Sequence, residues 1–475
     1  MFKKVLIANR GEIAVRIERC CREMGIETVA VYSTADKDAL HVQFADESVC
    51  IGGPQLKDSY LNMPNIIAAG IQTGCDAVHP GYGLLSENAE FARLVESSGM
   101  VFIGPSGDVI DQMGNKAQAR KAMQANNVPV VPGSPGVVSS PEEAKKLAEE
   151  IGYPLLVKAA AGGGGRGMRR VYKPEDLADE FLKASTEAEA AFGDGSMYIE
   201  HLVENPKHVE IQILADKRGN VIYLGERDCS IQRRNQKMIE EAPCPILSAE
   251  TRKAMGEAAV RAAKAVGYVS AGTVEFVMDL QEHFYFIEMN TRIQVEHPIT
   301  EAITGIDIVR EQIRIAAGLS LRYKQEDIHL NGHAIECRVN AEDPEHGFRP
   351  SPGDITFLHL PGGFGTRIDT ALYQGCSISP YYDSMIGKII VWAPTRLEAI
   401  RRMRRALEEI TIEGVHTNLD FEHVIFFKRE FLLGVYTTQF IAKHSDAIIA
   451  AQQQTLDIAL GISEEMKQKW RRRKD

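Results

Sequence analysis

Short apolar runs separated by amphipathic stretches fill the first 112 residues. VLIAN (5–9), TVAVY (28–32), AVHPGYG (77–83) and VFIGPS (101–106) read as strands, and GEIAVRIERCCREMG (11–25) carries helical periodicity. Strands alternating with helices predict a parallel sheet covered by helices. Lys116 to Asn126 reads as a further helix. VPVVPGSPGVVSSPEEA (128–144), rich in proline, glycine and serine, reads as a boundary ending in a helix start. A small unit from about 133 to 203 ends at MYIEHLV. Residues 204 to about 445 hold further strand patterns, including ITFLHLPGGFGTRID and CSISPYYDSMIGKIIVW, and the helix RLEAIRRMRRALEEI.

The most informative stretch is FYFIEMNTRIQVEH (284–297). Glu288, Asn290, Arg292, Gln294 and Glu296 occupy every second position, with Ile287, Met289, Thr291, Ile293 and Val295 between them. In an extended strand this places the polar groups on one wall. An ordinary half-buried strand shows the same alternation. The segment upstream, TVEFVMD (273–279), separates the two readings. It is a second strand joined by Leu280, Gln281, Glu282 and His283, a common hairpin length. Pairing Asp279 with Phe284 sets Val277 opposite Phe286 and Glu275 opposite Glu288. Facing carboxylates about 5 Å apart destabilise a sheet unless neutralised. A hard divalent cation does this, with Asn290 as a further oxygen donor, and magnesium prefers few carboxylates plus substrate phosphates. Run straight at ~3.3 Å per residue, the strand would put Glu296 about 26 Å from Glu288, so the chain must bend near Arg292 for both to serve one reaction.

A phosphate site calls for a cradle. Leu155 to Lys158 reads as a strand, followed by AAAGGGGRGMRRV (159–171), in which glycine amides can approach phosphate and Lys158 and Arg166 add charge. The run matches neither GxxxxGK[ST] nor GxGxxG, which excludes a Walker-type and a nicotinamide site here. Flanked by breakers, the unit is suited to close as a lid.

Composition narrows the classes. With 475 residues and 44% hydrophobic content the chain supports about three domains. A net charge of −11 argues against a nucleic-acid partner. No apolar stretch reaches the ~20 residues of a membrane helix, and the N-terminus lacks a signal-peptide pattern. The eight cysteines form no CxxC pair and read as reduced cytosolic thiols. The terminal WRRRKD reads as a solvated end.

Taken together, IANRGEIAVR (7–16), HPGYGLLSEN (79–88), KAAAGGGGRGM (158–168), ERDCSIQRRNQK (226–237), EEAPCP (240–245), FIEMNTRIQVEHP (286–298), ECRVNAEDP (336–344) and PYYDSMIGK (380–388) resemble the biotin carboxylases of the ATP-grasp superfamily, over essentially all of residues 1–445. The resemblance implies an α/β (α+β overall) ATP-grasp fold with a Rossmann-like N-terminal parallel-sheet domain, a small mobile lid and a β-rich C-terminal domain. The expected divisions are 1–112 for the N-terminal domain, 113–132 for a connecting helix, 133–203 for the lid, 204–330 for the ATP-grasp core and 331–445 for the C-terminal domain. Residues 446–475 form a tail of unassigned role.

The resemblance also implies an activity: ATP-dependent carboxylation of biotin by bicarbonate through carboxyphosphate, the first half-reaction of acetyl-CoA carboxylase or of a pyruvate or acyl-CoA carboxylase. By motif, Lys116, Lys158, Gly164, Gly165, Glu200, His201, Leu202, Val203, His208 and Asn235 contact ATP, together with Glu275 and Glu288. Glu275, Glu288 and Asn290 hold magnesium or manganese. Lys237, Arg292, Gln294 and the Val295 amide grip bicarbonate, and Glu296 takes its proton. Arg338 stabilises the biotin enolate, with Tyr82 and Gly83 near the ring. A guanidinium fork such as Arg292 suits a planar anion.

Biotin is expected on a separate carrier, the biotin carboxyl carrier protein, because no AMKM-like site occurs; carboxyltransferase subunits, a homodimer and a cytoplasmic setting are implied, with no membrane contact. Asn235 departs from the QRRHQK of the acetyl-CoA carboxylase form and matches units of pyruvate and acyl-CoA carboxylases. His201 stands where lysine is frequent. Another ATP-grasp ligase would share the metal hairpin but lack RIQVEHP, Arg338 and HPGYG. A silent regulatory subunit would lack one of the metal or bicarbonate residues.

Overall fold

The computed structural model describes residues 1–159 and 167–454. The N-terminal sheet is parallel, as the alternating pattern predicts: β1 (Lys4–Ile7), β2 (Glu27–Ser33), β3 (Glu47–Gly52), β4 (Ala77–His79) and β5 (Val101–Phe102) lie in the order β3-β2-β1-β4-β5. Val5, Leu6 and Ile7 are all fully buried. Consecutive burial requires cover on both faces, which a parallel sheet obtains from its crossover helices.

A second unit has three antiparallel strands, β6 (Leu155–Ala159), β7 (Met168–Val171) and β8 (Met197–His201), in the order β7-β6-β8. Helices Pro141–Ile151 and Leu177–Phe192 pack on it around Val157, Phe181 and Ile199. Lys158 pairs with Met168, so the glycine run connects a hairpin. Residues 160–166, with Gly164, Gly165 and Arg166, lie outside the described residues.

The largest element is an eight-stranded antiparallel sheet. Its strands are β9 (Lys207–Ala215), β10 (Val221–Arg233), β11 (Gln236–Ala242), β12 (Ser270–Met278), β13 (Phe284–Asn290), β14 (His333–Asn340), β15 (Thr366–Thr370) and β16 (Met385–Ala393). They run in the order β13-β12-β9-β10-β11-β14-β16-β15. The pairing of β11 with β14, Glu240 opposite Glu336, carries the sheet across residue 330 without a break. Side chains from before and after that point therefore share one backbone frame.

The β12–β13 hairpin corrects the expected register. Met278 pairs with Phe284, Val277 with Tyr285 and Phe276 with Phe286, one residue off the Asp279–Phe284 pairing. A bulge between Phe276 and Glu275 absorbs the slip, and Glu275 still faces Glu288. Asp279 instead closes the turn, its backbone N–H donating to His283 O at 3.0 Å.

A helix over 440–454 places Phe440, Ile441 and Ile448 in the C-terminal core. Residues 455–475, with WRRRKD, lie outside the described residues. Among the described residues no helix is long and apolar enough to cross a membrane. All eight cysteines are unpaired and only Cys50 is exposed.

Candidate active site

Register aligns a row of charged residues across four strands. Arg227 on β10 faces Glu210 on β9, Glu210 faces Glu275 on β12, and Glu275 faces Glu288 on β13. Neighbouring carboxylates need cations, and these diminish along the row. Arg227, fully buried, donates from Nε to Glu210 at 2.6 Å and reaches Gln294 Oε1 at 2.7 Å. His208 Nε2 lies 3.0 Å from Glu275. At the far end Glu288 has Lys116 at 3.9 Å. Burial and the Glu275 charge raise the Glu288 carboxyl above its ordinary range. An under-neutralised carboxylate beside another, with the Asn290 amide bonded to Glu275, fits a divalent cation.

The polar wall expected from residue 288 to 296 ends early. Strand β13 stops at Asn290, and a helix runs from His297 to Thr304 with proline in its first turn and Gly305 ending it at φ 71°. Arg292, Gln294 and Glu296 therefore leave the strand face and sit on a turn that folds back. The bend is measured by Lys237, whose Nζ donates to Glu210 at 2.6 Å, Glu275 at 3.2 Å and Glu296 at 2.6 Å. Gln294 Nε2 and Asn290 Nδ2 also donate to Glu275, at 2.8 and 2.7 Å. Glu296, at one end of the alternating row, and Glu275, opposite Glu288 at the other, converge on one lysine.

Arg338 on β14 donates from Nη2 to Glu296 at 2.9 Å and from Nε to Glu240 at 2.6 Å. Burial opposes the charge of Glu296, but Lys237, Arg338 and Arg227 outweigh it and hold its carboxyl well below the usual range. The Glu275 carboxyl is likewise depressed: Lys237 and His208 outweigh burial. Arg292 donates from Nε to Glu87 at 2.9 Å, and Glu87 also takes the Thr291 amide at 3.1 Å.

A cleft of about 920 Å³ opens over this network. Among the residues expected at the site, Lys116, His208, Asn235, Lys237, Glu275 and Glu288 line it. Asn290, Arg292, Gln294, Val295, Glu296 and Arg338 line it too. Lys158 and Glu200 stand apart in the three-stranded unit, joined by a 2.5 Å bond. His201 ends β8, and the Leu202 amide donates to Pro154 O at 2.8 Å, so Leu202 and Val203 form the connection into β9. The Tyr82 hydroxyl donates to Glu12, and Gly83 is exposed beside it.

Asn235 has a local explanation. Arg234 and Asn235 form the β10–β11 turn with φ of 49° and 65°. Two left-handed residues make a turn that matches strand twist, and asparagine tolerates that conformation well.

Glu210, Arg227 and Glu87 escaped the sequence reading. Glu210 sits in KHVEIQILA, where His208, Glu210 and Gln212 alternate as the residues of 288–296 do. That signal was legible. Arg227 and Glu87 lie in motifs already noted, but only the fold shows whom they meet.

Rows of carboxylates and lysines at a sheet-lined cleft, beside a hairpin unit bearing a glycine run, are the features of an ATP-dependent ligase of the ATP-grasp class. Three family models match along the chain: "Biotin carboxylase, N-terminal domain" over 1–110, "Carbamoyl-phosphate synthase L chain, ATP binding domain" over 115–324, and "Biotin carboxylase C-terminal domain" over 336–443. Biotin carboxylase 1 of Bacillus subtilis is 57% identical over 442 residues, 93% of this chain and 98% of that protein. The 2-oxoglutarate carboxylase small subunit of Hydrogenobacter thermophilus is 54% identical over 444 residues, 94% of each chain. Among solved structures, the biotin carboxylase domain of thermophilic 2-oxoglutarate carboxylase bound to bicarbonate superposes with a TM-score of 0.90 at 51% identity, covering 94% of this chain and 99% of that one. A dimer of this domain from Hydrogenobacter thermophilus with MgADP, ADP and bicarbonate gives 0.86 at 53% identity, with the same coverage. The chain belongs to the biotin carboxylase family and is an ATP-dependent ligase.

Proposed function

We propose that this chain carboxylates biotin on a separate carrier protein, using ATP and bicarbonate, with the residues converging on Lys237 as the reaction centre. The observation that carries the assignment is that one ammonium joins Glu275, at the metal and phosphate end, to Glu296, at the anion end. Glu275, Glu288 and Asn290 would hold magnesium or manganese, which when bound neutralises phosphate charge and aligns the transfer. Lys116, Lys158, Gly164, Gly165, His208, Asn235 and the 200–203 connection would bind ATP. The 133–203 unit would close over it as a lid, with the divisions at 112, 132, 203, 330 and 445 as its frame. MgADP and bicarbonate bound in a relative 53% identical support this reading.

Lys237, Arg292, Gln294 and the Val295 amide would grip bicarbonate. Glu296 would accept its proton. In the free site Glu296 is ionised but a weak base, because Lys237 and Arg338 stabilise its charge. An anion that draws either cation toward itself weakens that stabilisation and raises the basicity of Glu296 as the substrate arrives. Arg338 would then face the biotin enolate, with Tyr82 and Gly83 near the ring.

Carboxyltransferase subunits would complete the pathway, and a homodimer is supported by the dimeric relative. A cytoplasmic setting is supported by the unpaired cysteines, although three plant relatives carry chloroplastic names. Acetyl-CoA is the proposed final acceptor, and relatives that serve pyruvate and 2-oxoglutarate carboxylases make a 2-oxo acid the alternative. The test is ADP release with magnesium and ATP, with and without bicarbonate and free biotin. Dependence on both is expected, and indifference to both refutes the proposal. Co-purification with a carrier and a carboxyltransferase of defined acceptor decides between the acceptors.

A further inference from the structure

The turn that carries Val295 and Glu296 is gripped from the C-terminal half of the sheet by two neighbouring cations. Arg338 on β14 and Lys388 on β16 are directly paired across the strands and so project from one face. Arg338 bonds the Glu296 carboxylate, and Lys388 Nζ donates to the Val295 carbonyl at 2.7 Å. Lys388 is 0% exposed. Its counter-ions come from three elements: Glu12 at 3.0 Å on the helix Gly11–Glu23, Asp369 paired with it from β15, and Glu336 on β14. Burial works against its charge, but Glu12, Glu336 and Asp369 keep it protonated. Glu12 in turn accepts the Tyr82 hydroxyl.

A lysine buried this completely carries a desolvation cost that an apolar residue of similar size would avoid. Its ammonium reaches past its carboxylates to a main-chain carbonyl of the anion turn. Holding the Val295 carbonyl sets the plane of the 295–296 peptide, and with it where the Glu296 side chain leaves the backbone. The same ammonium adds fixed positive charge behind a site for an anion.

We propose that Lys388 is a positioning residue for the bicarbonate turn, holding Val295 and Glu296 in place through the Val295 carbonyl. The inference rests on the bicarbonate reading given above. Removing Lys388 alone would strand Glu12, so the test compares E12Q with the double variant K388M/E12Q, which deletes the charge and its partner together. Bicarbonate-dependent ADP release is measured for both and for the unsubstituted chain. Loss of a charge-assisted bond to the turn should raise the KM for bicarbonate about tenfold or more in the double variant relative to E12Q, with the KM for ATP within about threefold. Equal bicarbonate KM values in the two variants overturn the proposal. So does a parallel change in both KM values, or loss of fold in the double variant alone, since either marks a purely structural lysine. If the unsubstituted chain is itself indifferent to bicarbonate, the functional reading fails first.

Discussion

Lys237→Met should convert the centre of the site from its best-compensated point into its most repulsive one. The Nζ that bonds Glu210, Glu275 and Glu296 disappears while all three carboxylates stay. Oxygens of Glu210 and Glu296 lie within 4.8 Å of each other, as do those of Glu210 and Glu275. At that separation and an effective dielectric of about 20, each like-charged pair repels by roughly 3 kcal/mol. Breaking a buried ion pair by removing one partner costs about 3–5 kcal/mol, the same scale. For the domain that contains the sheet, the unfolding midpoint should fall by roughly 5 °C or more near neutral pH.

The pH dependence carries a sign that distinguishes this account from generic damage. In the unsubstituted chain Glu275 and Glu296 have depressed folded pKa values, so they contribute stability that is present above about 4.5 and lost as pH falls toward the folded values. In the variant the same carboxylates repel, their pKa values rise, and acidification relieves the strain. The deficit between the two proteins should therefore be widest near neutrality and narrow on the way to about pH 5. Thermal scans across that range, paired with bicarbonate-dependent ADP release, test it. Bicarbonate-dependent turnover should be lost at every pH. An unchanged midpoint, or a deficit that widens on acidification, would refute the reasoning.

Glu288→Gln should abolish magnesium-dependent ATP turnover yet leave the metal-free unfolding midpoint equal or higher, since Glu288 is destabilised by burial and Glu275; a lower midpoint would contradict the assignment. Glu296→Ala should spare ATP affinity, read by nucleotide titration, while bicarbonate-dependent turnover collapses; lost ATP binding would remove Glu296 from the anion end. Glu18, buried with both carboxyl oxygens unpartnered among the described residues, has its pKa pushed up by burial to about 9 from 4.5. A raised carboxyl pKa is a stability penalty that grows as pH climbs above 4.5, so Glu18→Gln should stabilise the protein by roughly 3 kcal/mol at about pH 7. That gain should vanish near pH 4.5, and a gain independent of pH would show that Glu18 carries its charge when folded.

Much of this protein is written locally. The parallel N-terminal sheet follows from runs such as Val5–Ile7, and the β12–β13 hairpin from two strand patterns and a short loop. The placement of Glu275 opposite Glu288 was legible although the register beside it was not. The turn alone suggested Asp279–Phe284; β12 pairs with β9 without a shift, and the extra residue of the bulge is Ile287 on β13. The need for a bend after Asn290 was also legible, from distance alone. Its cause, a helix opened by His297-Pro298, is local as well.

What the bend accomplishes is not local. Lys237 lies 59 residues from Glu296, and Arg338 lies 42 residues beyond it, yet both meet its carboxylate. Sequence determines which faces of which elements are charged, because side-chain alternation follows backbone period over a few residues. It does not determine which charges neutralise which, because strand order in the sheet sets that. Ion pairing falls off over a few ångströms, and only tertiary structure brings strands from across the chain within that range. The sequence by itself thus specified a hairpin of facing carboxylates, a glycine run and a charged segment that must bend. The eight-stranded sheet alone decided that the hairpin and the turn after it share a single lysine.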